Sequence, residues 1–405
     1  MATRPFDDPS GQAARGRPVF ALGFRPFYLA ASGFAVLAVP LWVAQYHGLF
    51  FVDGSLSGAA WHAHEMVFGF AAAVLAGFLL TAVRQWTGLP TPTGPVLAAM
   101  VGLWAAGRVL VVVGPSGLAA VVDVAFLPAV ALAIALPILR SGNRRNLFVV
   151  ALVGVLAAAN LVFHLDHLGV VRAGAGGQAI RLAFDVLAIL MAVIAGRVVP
   201  MFTRNGVPAA RPRRMLPIEI AALGTLFAIL VIDAIDMAGV LWAGSAVSVA
   251  VLAGIGAVAH AARLWLWDPL ATRREPLLWS LPLAYAWLPV ALALRAGAAA
   301  TDAVAPALGD HALGIGAMGG LMLAMMTRSA LGHTGRALKA GPAETAGYLM
   351  IACAALLRVA GSLVVPAHWT AALVASSVCW SAAFLVFFIR YWPILTRPRP
   401  DRRSG

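Results

Sequence analysis

Charge is scarce in this chain. Asp, Glu, Lys and Arg make up only 11% of its 405 residues, where a soluble domain carries about a quarter. Hydrophobic residues take 61%, so too little polar surface remains for a water-soluble fold of this size. Lysine is nearly missing: Lys339 is the single one, and arginine supplies almost all of the +13 net charge. Cysteine is limited to Cys353 and Cys379, both inside apolar runs. That excludes a disulfide framework and a thiolate metal site. The first twenty residues lack an apolar core and a small-residue cleavage site, so no secretory signal is expected.

What the chain has is one apolar run after another. Twelve segments long enough to cross a bilayer fall near 27–48, 62–86, 95–114, 117–140, 147–169, 178–203, 217–238, 241–265, 276–298, 307–330, 343–364 and 369–393. The break between the third and fourth is only GPSG, and that between the seventh and eighth is almost invisible. On hydropathy alone, eleven or thirteen spans stay open. Arginine decides for twelve, because short cytoplasmic loops carry the excess of Lys and Arg. With the N-terminus inside, alternate loops collect all but Arg108, Arg172, Arg181, Arg295 and Arg358. A missed span would scramble that alternation downstream. The expected fold is therefore all-α: a multi-pass protein of about twelve transmembrane helices in the lipid bilayer, with both termini cytoplasmic. Residues 1–24 read as a basic arm, 25–393 as the membrane domain and 394–405 as a basic tail. Topology accounts for the basic balance, so no nucleic-acid partner is expected.

Seven of the nine histidines fall toward the outer face; only His260 and His333 fall toward the inner one. His47, His167 and His368 stand at helix ends, where polar residues are ordinary. The stretch WHAHEMVFGF at 61–70 is different: His62, His64 and Glu65 open a long uncharged run. Ionisable groups at membrane depth are costly and tend to mark function. Two residues apart on a helix, His62 and His64 point to nearly opposite sides and do not serve one metal together. The tenth segment, DHALGIGAMGGLMLAMMTRSALGHTG, has the same layout. Gly69 follows His64 by five residues, and Gly316 follows His311 by five. Both segments run through small residues to an inner arginine and a Thr-Gly pair. The sixth also ends on arginine and glycine, so segments two, six and ten outline a faint repeat spaced by four.

Two imidazoles at similar depth on separate helices suit a bis-imidazole haem. His64 and His311 are the expected pair, with the glycines leaving room for a flat cofactor. The assignment with His62 in place of His64 stays open. In the first assignment His62 turns toward solvent or a second site shared with His164, which lies one turn after Asn160. Arg108, in an apolar span, needs a carboxylate: Asp123 or a haem propionate. Arg181 and Asp185 have the spacing of an intrahelical ion pair. Glu65, Asp123 and Asp185 are the candidate proton-carrying groups. Of the inner-face set Arg84, Arg197, Arg204, His260, Arg263, Arg328 and His333, most read as topology arginines. A quinone headgroup or anion site is the sharper alternative.

FALGFRPFYLA at 20–30, WHAHEMVFGFAAAVLAGFLLTAV at 61–83, GRVVPMFTRN at 196–205, PLLWSLPLAYAWLP at 276–289 and MTRSALGHTGRAL at 326–338 resemble the NnrS family. The resemblance runs from about residue 18 to 360. It implies a bacterial inner-membrane protein with haem b and copper, linked to nitric oxide metabolism and nitrosative stress. The twelve-span layout with histidines in segments two and ten also resembles the core subunit of haem–copper oxidases and nitric oxide reductases. That superfamily's His-Pro-Glu in span six and His-His pair in span seven are missing here. Two classes of function follow. One is a haem-dependent nitric oxide reductase or detoxifying enzyme fed by quinol, with Glu65 and Asp185 as its acid–base groups. The other is a non-enzymatic membrane binder or transporter of haem, copper or a nitrosyl–iron species.

Overall fold

A computed structural model describes residues 17–49, 56, 58–240, 244–364 and 366–401. Most of the expected basic arm, residues 1–16, lies outside the described residues, as does the end of the tail. Among the described residues, twelve helices are long and apolar enough to cross a membrane. They are α1 Phe24–Tyr46, α2 Gly58–Thr87, α3 Gly94–Val113, α4 Ser116–Arg140, α5 Arg144–His167 and α6 Ala175–Gly206, then α7 Leu216–Met237, α8 Ser245–Leu266, α9 Pro276–Ala300, α10 Pro306–His333, α11 Pro342–Gly361 and α12 Trp369–Thr396. No strand occurs among the described residues. The all-helical, twelve-span expectation therefore holds, and the two faint breaks, before α4 and before α8, do separate helices.

Local chemistry sets several ends. Proline opens α9, α10 and α11 at Pro276, Pro306 and Pro342, where a missing N–H costs nothing. The Thr-Gly pairs close α2 and α10 alike. Thr87 and Thr334 each turn their hydroxyl back to a carbonyl one turn earlier. Gly88 and Gly335 both take φ +68°, the left-handed cap that glycine adopts without strain.

The helices divide into a centre and a rim. In α2, 83% of the apolar window is buried, and in α6 and α10 67%; no other helix exceeds 56%. The four-helix repeat seen in the sequence thus marks the three innermost helices. On the rim, Val247, Val251 and Val258 of α8 are largely exposed. A belt of such residues is an aggregation hazard in water and the natural outer surface in lipid. Arg25, fully buried at the start of α1, donates to the carbonyls of Leu395 and Arg397 at the end of α12. That bond puts the two described ends of the chain on the same face.

The α-helical ladder widens twice. Glu65–Ala71 in α2 and Ala312–Gly319 in α10 are π-helical. Each segment starts at the residue after a histidine of interest, His64 or His311. Such insertions are rare and concentrate at functional sites. They strengthen the likeness of α2 to α10 beyond what residue types alone carry.

Candidate functional site

Four helices meet around His64, Glu65, Arg108, Asp123, Asn160 and His164, all buried. α2 carries the first two, α3 Arg108, α4 Asp123 and α5 the last two. Arg108 donates to Glu65 Oε1 at 2.8 Å and pairs through its other nitrogen with Asp123 Oδ1. Asp123 is thus its carboxylate, with Glu65 beside it, and no propionate is needed. His64 Nδ1–H donates to Glu65 Oε1 at 3.0 Å. Its Nε2 lies 3.0 Å from Asn160 Oδ1 and 3.1 Å from Asp123 Oδ2. His164 Nε2 and Asn160 Nδ2 reach the same Asp123 oxygen at 2.9 and 2.8 Å. Trp104 ties α3 to the π turn by donating to the Gly69 carbonyl at 2.9 Å.

Gly69 serves this cluster. A Cβ there would stand 2.8 Å from Arg108 Nη1, 2.9 Å from Glu65 Oε2 and 3.0 Å from Phe34. The glycine makes room for a guanidinium rather than for a flat cofactor, which corrects the expectation. Gly316 is likewise filled, by the indole of Trp287.

The other histidine of the motif turns the opposite way. His62 stacks on Trp42, ring centres 4.1 Å apart. Across from it stands His311, 6.5 Å between centres and 19° between planes. Here too the first expectation is corrected: the structure sets His62, not His64, opposite His311. His164 belongs with His64, not with His62. Rotation about the α2 axis is the cause, since residues two apart face opposite sides. His311 Nδ1–H donates to the Ala307 carbonyl at 2.5 Å, which leaves its Nε2 to face elsewhere. His62 Nδ1 is buried without a hydrogen-bond partner. Both rings border a cavity of about 370 Å³, walled also by Met66, Met318, Phe184, Arg358 and Trp380.

A wider cavity of about 720 Å³ opens beside it, and the two share Ala59, Ala63, Ile180, Phe184 and Asp310. Its wall holds Asp185, which pairs with Arg295 at 2.6 Å; the same guanidinium holds Asp233 at 2.5 Å. The expected Arg181–Asp185 pair does not form. Arg181 instead approaches Asp236 at 3.9 Å. Neither Glu65 nor Asp185 lines the His62–His311 cavity; Asp310 does.

In the opposite half of the bundle, Arg263 binds Glu219 at 2.7 and 3.0 Å and donates to the Tyr285 hydroxyl at 2.9 Å. The same hydroxyl lies 2.6 Å from His260 Nδ1. Gly196 lets the Arg263 guanidinium lie against α6. Arg328 stacks on Phe202 at 3.7 Å and Arg197 on Phe148 at 5.8 Å, apart from this network. Glu219, Tyr285, Asp233 and Trp42 escaped the sequence reading. Asp233 in an apolar run was the one recoverable signal.

The NnrS protein family profile matches residues 18–399, nearly the whole chain. This chain belongs to the NnrS family. The match spans all twelve helices, and so includes both π segments and both histidine clusters of this NnrS-family protein. No curated protein matches the sequence.

Proposed function

We propose that this chain is a haem-binding protein of the bacterial inner membrane that acts in nitric oxide metabolism or nitrosative-stress defence, with the haem held between His62 and His311. Family membership supports the nitric oxide context. The observation that carries the haem assignment is the imidazole pair. With metal–nitrogen bonds of about 2.0 Å and about 1.1 Å from ring nitrogen to ring centre, two imidazoles holding one ion between them would stand about 6.2 Å apart. The separation here is 6.5 Å.

The surrounding residues suit the group. The Ala307 carbonyl fixes the His311 tautomer, as metal-bound imidazoles require. Trp42 holds the His62 ring in its orientation. Phe70, Phe184 and Trp380 give apolar walls, and Arg358 brings positive charge suited to a propionate. Bound haem would supply a one-electron iron couple. Joining two nitric oxide molecules to nitrous oxide and water consumes two electrons and two protons. Asp310, on the wall shared by both cavities, stands where a proton would pass from the wide cavity to the histidines. Held by both His62 and His311, such a haem would serve electron transfer rather than chemistry at an open iron position.

A second reading has one observation in its favour. Met66 and Met318 line the same cavity as the two histidines, and thioether with imidazole is a ligand set for copper(I). A pyridine haemochrome assay with metal analysis of the purified protein separates them. One haem per chain supports the first reading. Copper without haem supports the second, and neither metal overturns both.

A further inference from the structure

The cluster around His64 has an electrostatic fault that a bound ion would mend. Glu65 and Asp123 are carboxylates, and among the described residues Arg108 is the one guanidinium paired with them. With both imidazoles neutral the cluster carries one net negative charge in a fully buried site, a costly arrangement. The hydrogen bonds locate the fault. Glu65 accepts from His64 Nδ1–H, so a neutral His64 presents a lone pair at Nε2. Asn160 donates its Nδ2 to Asp123, so its Oδ1 is what faces His64. The lone pair at His64 Nε2 therefore meets two further acceptors, Asn160 Oδ1 at 3.0 Å and Asp123 Oδ2 at 3.1 Å. Either a second proton or a cation must sit there.

Geometry favours a cation. His64 Nε2, Asp123 Oδ2 and His164 Nε2 approach one point from three helices. Ligand atoms of these three residues lie within 4.8 Å of one another. A tetrahedral ion with bonds of about 2.0 Å sets its ligand atoms about 3.3 Å apart. The two contacts to Asp123, 2.9 and 3.1 Å, need to open by only a few tenths of an ångström. The Glu65–His64 bond is the carboxylate–histidine support that orients metal-bound imidazoles.

We infer that His64, Asp123 and His164 form a buried site for a divalent transition-metal ion of borderline softness, such as ferrous iron or zinc. Two imidazole nitrogens and one carboxylate oxygen, with no sulfur ligand, match that class and leave one coordination position open. The site is separate from the His62–His311 cavity and does not depend on the haem assignment.

The test uses the full chain in detergent, stripped with chelator and loaded with cobalt(II), which thioethers bind poorly. The cobalt retained after desalting is counted, and its high-spin paramagnetic signal is recorded. About one equivalent should remain in the wild type and in His62→Ala. His164→Gln and Asp123→Asn should each bind at least about tenfold more weakly. Should Asp123→Asn not fold, because Arg108 loses its partner, His164→Gln decides alone. No retained cobalt in the wild type, or equal retention in His164→Gln, would overturn the site.

Discussion

Replacing Arg108 with leucine removes one guanidinium and strands two carboxylates. Glu65 is 0% exposed and Asp123 2%, so water cannot replace the lost charge. Two effects compete in setting the size of the loss. Neutral hydrogen bonds between membrane helices average about 0.6 kcal/mol, because the polar groups find other partners. An orphaned buried charge costs about 3–5 kcal/mol when its partner is removed. The second dominates here, since Glu65 Oε2 already lacks a partner and Asp123 would keep only imidazole and amide contacts. With an unfolding entropy of about 2.1 cal/mol/K per residue, 3–5 kcal/mol in a chain of this length lowers the melting temperature by about 4–6 °C. Fluorescence-detected melting of the detergent-purified protein reads that shift. Asn160→Leu, which removes neutral hydrogen bonds, should cost clearly less. Adding Glu65→Gln to Arg108→Leu should recover part of the loss, because one stranded charge is gone. If Arg108→Leu melts within a degree of the wild type, the ion cluster does not hold these helices together and the reasoning fails.

Further outcomes follow from the packing. Gly69→Ala puts a methyl against Arg108, Glu65 and Phe34 and should destabilise by about 1–3 kcal/mol. Gly102→Ala, where nothing stands within 4 Å, should be neutral or slightly stabilising in the same melting assay. Arg25→Ala frees the Leu395 and Arg397 carbonyls and should expose the end of α12 to limited proteolysis while the centre of the bundle stays resistant. Arg263→Leu leaves Glu219 with only the half-exposed Arg214 as its ion-pair partner and removes a donor from Tyr285; it should lower the melting temperature, and a wild-type value would argue that this network is dispensable. Reporter fusions after residues 170 and 210 should report opposite sides of the membrane, with residue 210 cytoplasmic; the same side for both would break the twelve-span order.

The fold was legible because hydropathy and arginine both answer to the bilayer. Even the weak break before α8 could be placed, since a missed span reverses every later loop. The three innermost helices also showed, through small residues recurring at intervals of four spans. The ion cluster was half legible: Glu65, Arg108 and Asp123 are charged residues in apolar runs, and they do meet. Asp185 shares their apolar context but pairs with Arg295 from α9, a long-range contact that no local spacing announces. The partner of His311 was not legible. α2 is apolar on nearly every side, so its pattern does not say which way the helix is turned. His62 and His64 are two residues apart and equivalent to any reading of periodicity. The π turns were invisible as well, and so were the contacts of the glycines five residues past each histidine, which lie against Arg108 and Trp287.

In the proposed assignment His62 and His311 hold a haem between them. The most direct test is the absorption spectrum of the purified protein in three variants, His62→Ala, His311→Ala and His64→Gln. Losing an axial imidazole alters the Soret band or the haem content, whereas losing a ligand of another site does not. An altered or absent Soret band is expected in His62→Ala and His311→Ala, and a wild-type band in His64→Gln. A wild-type band at full haem occupancy in His62→Ala, or its loss in His64→Gln from folded protein, would contradict that assignment.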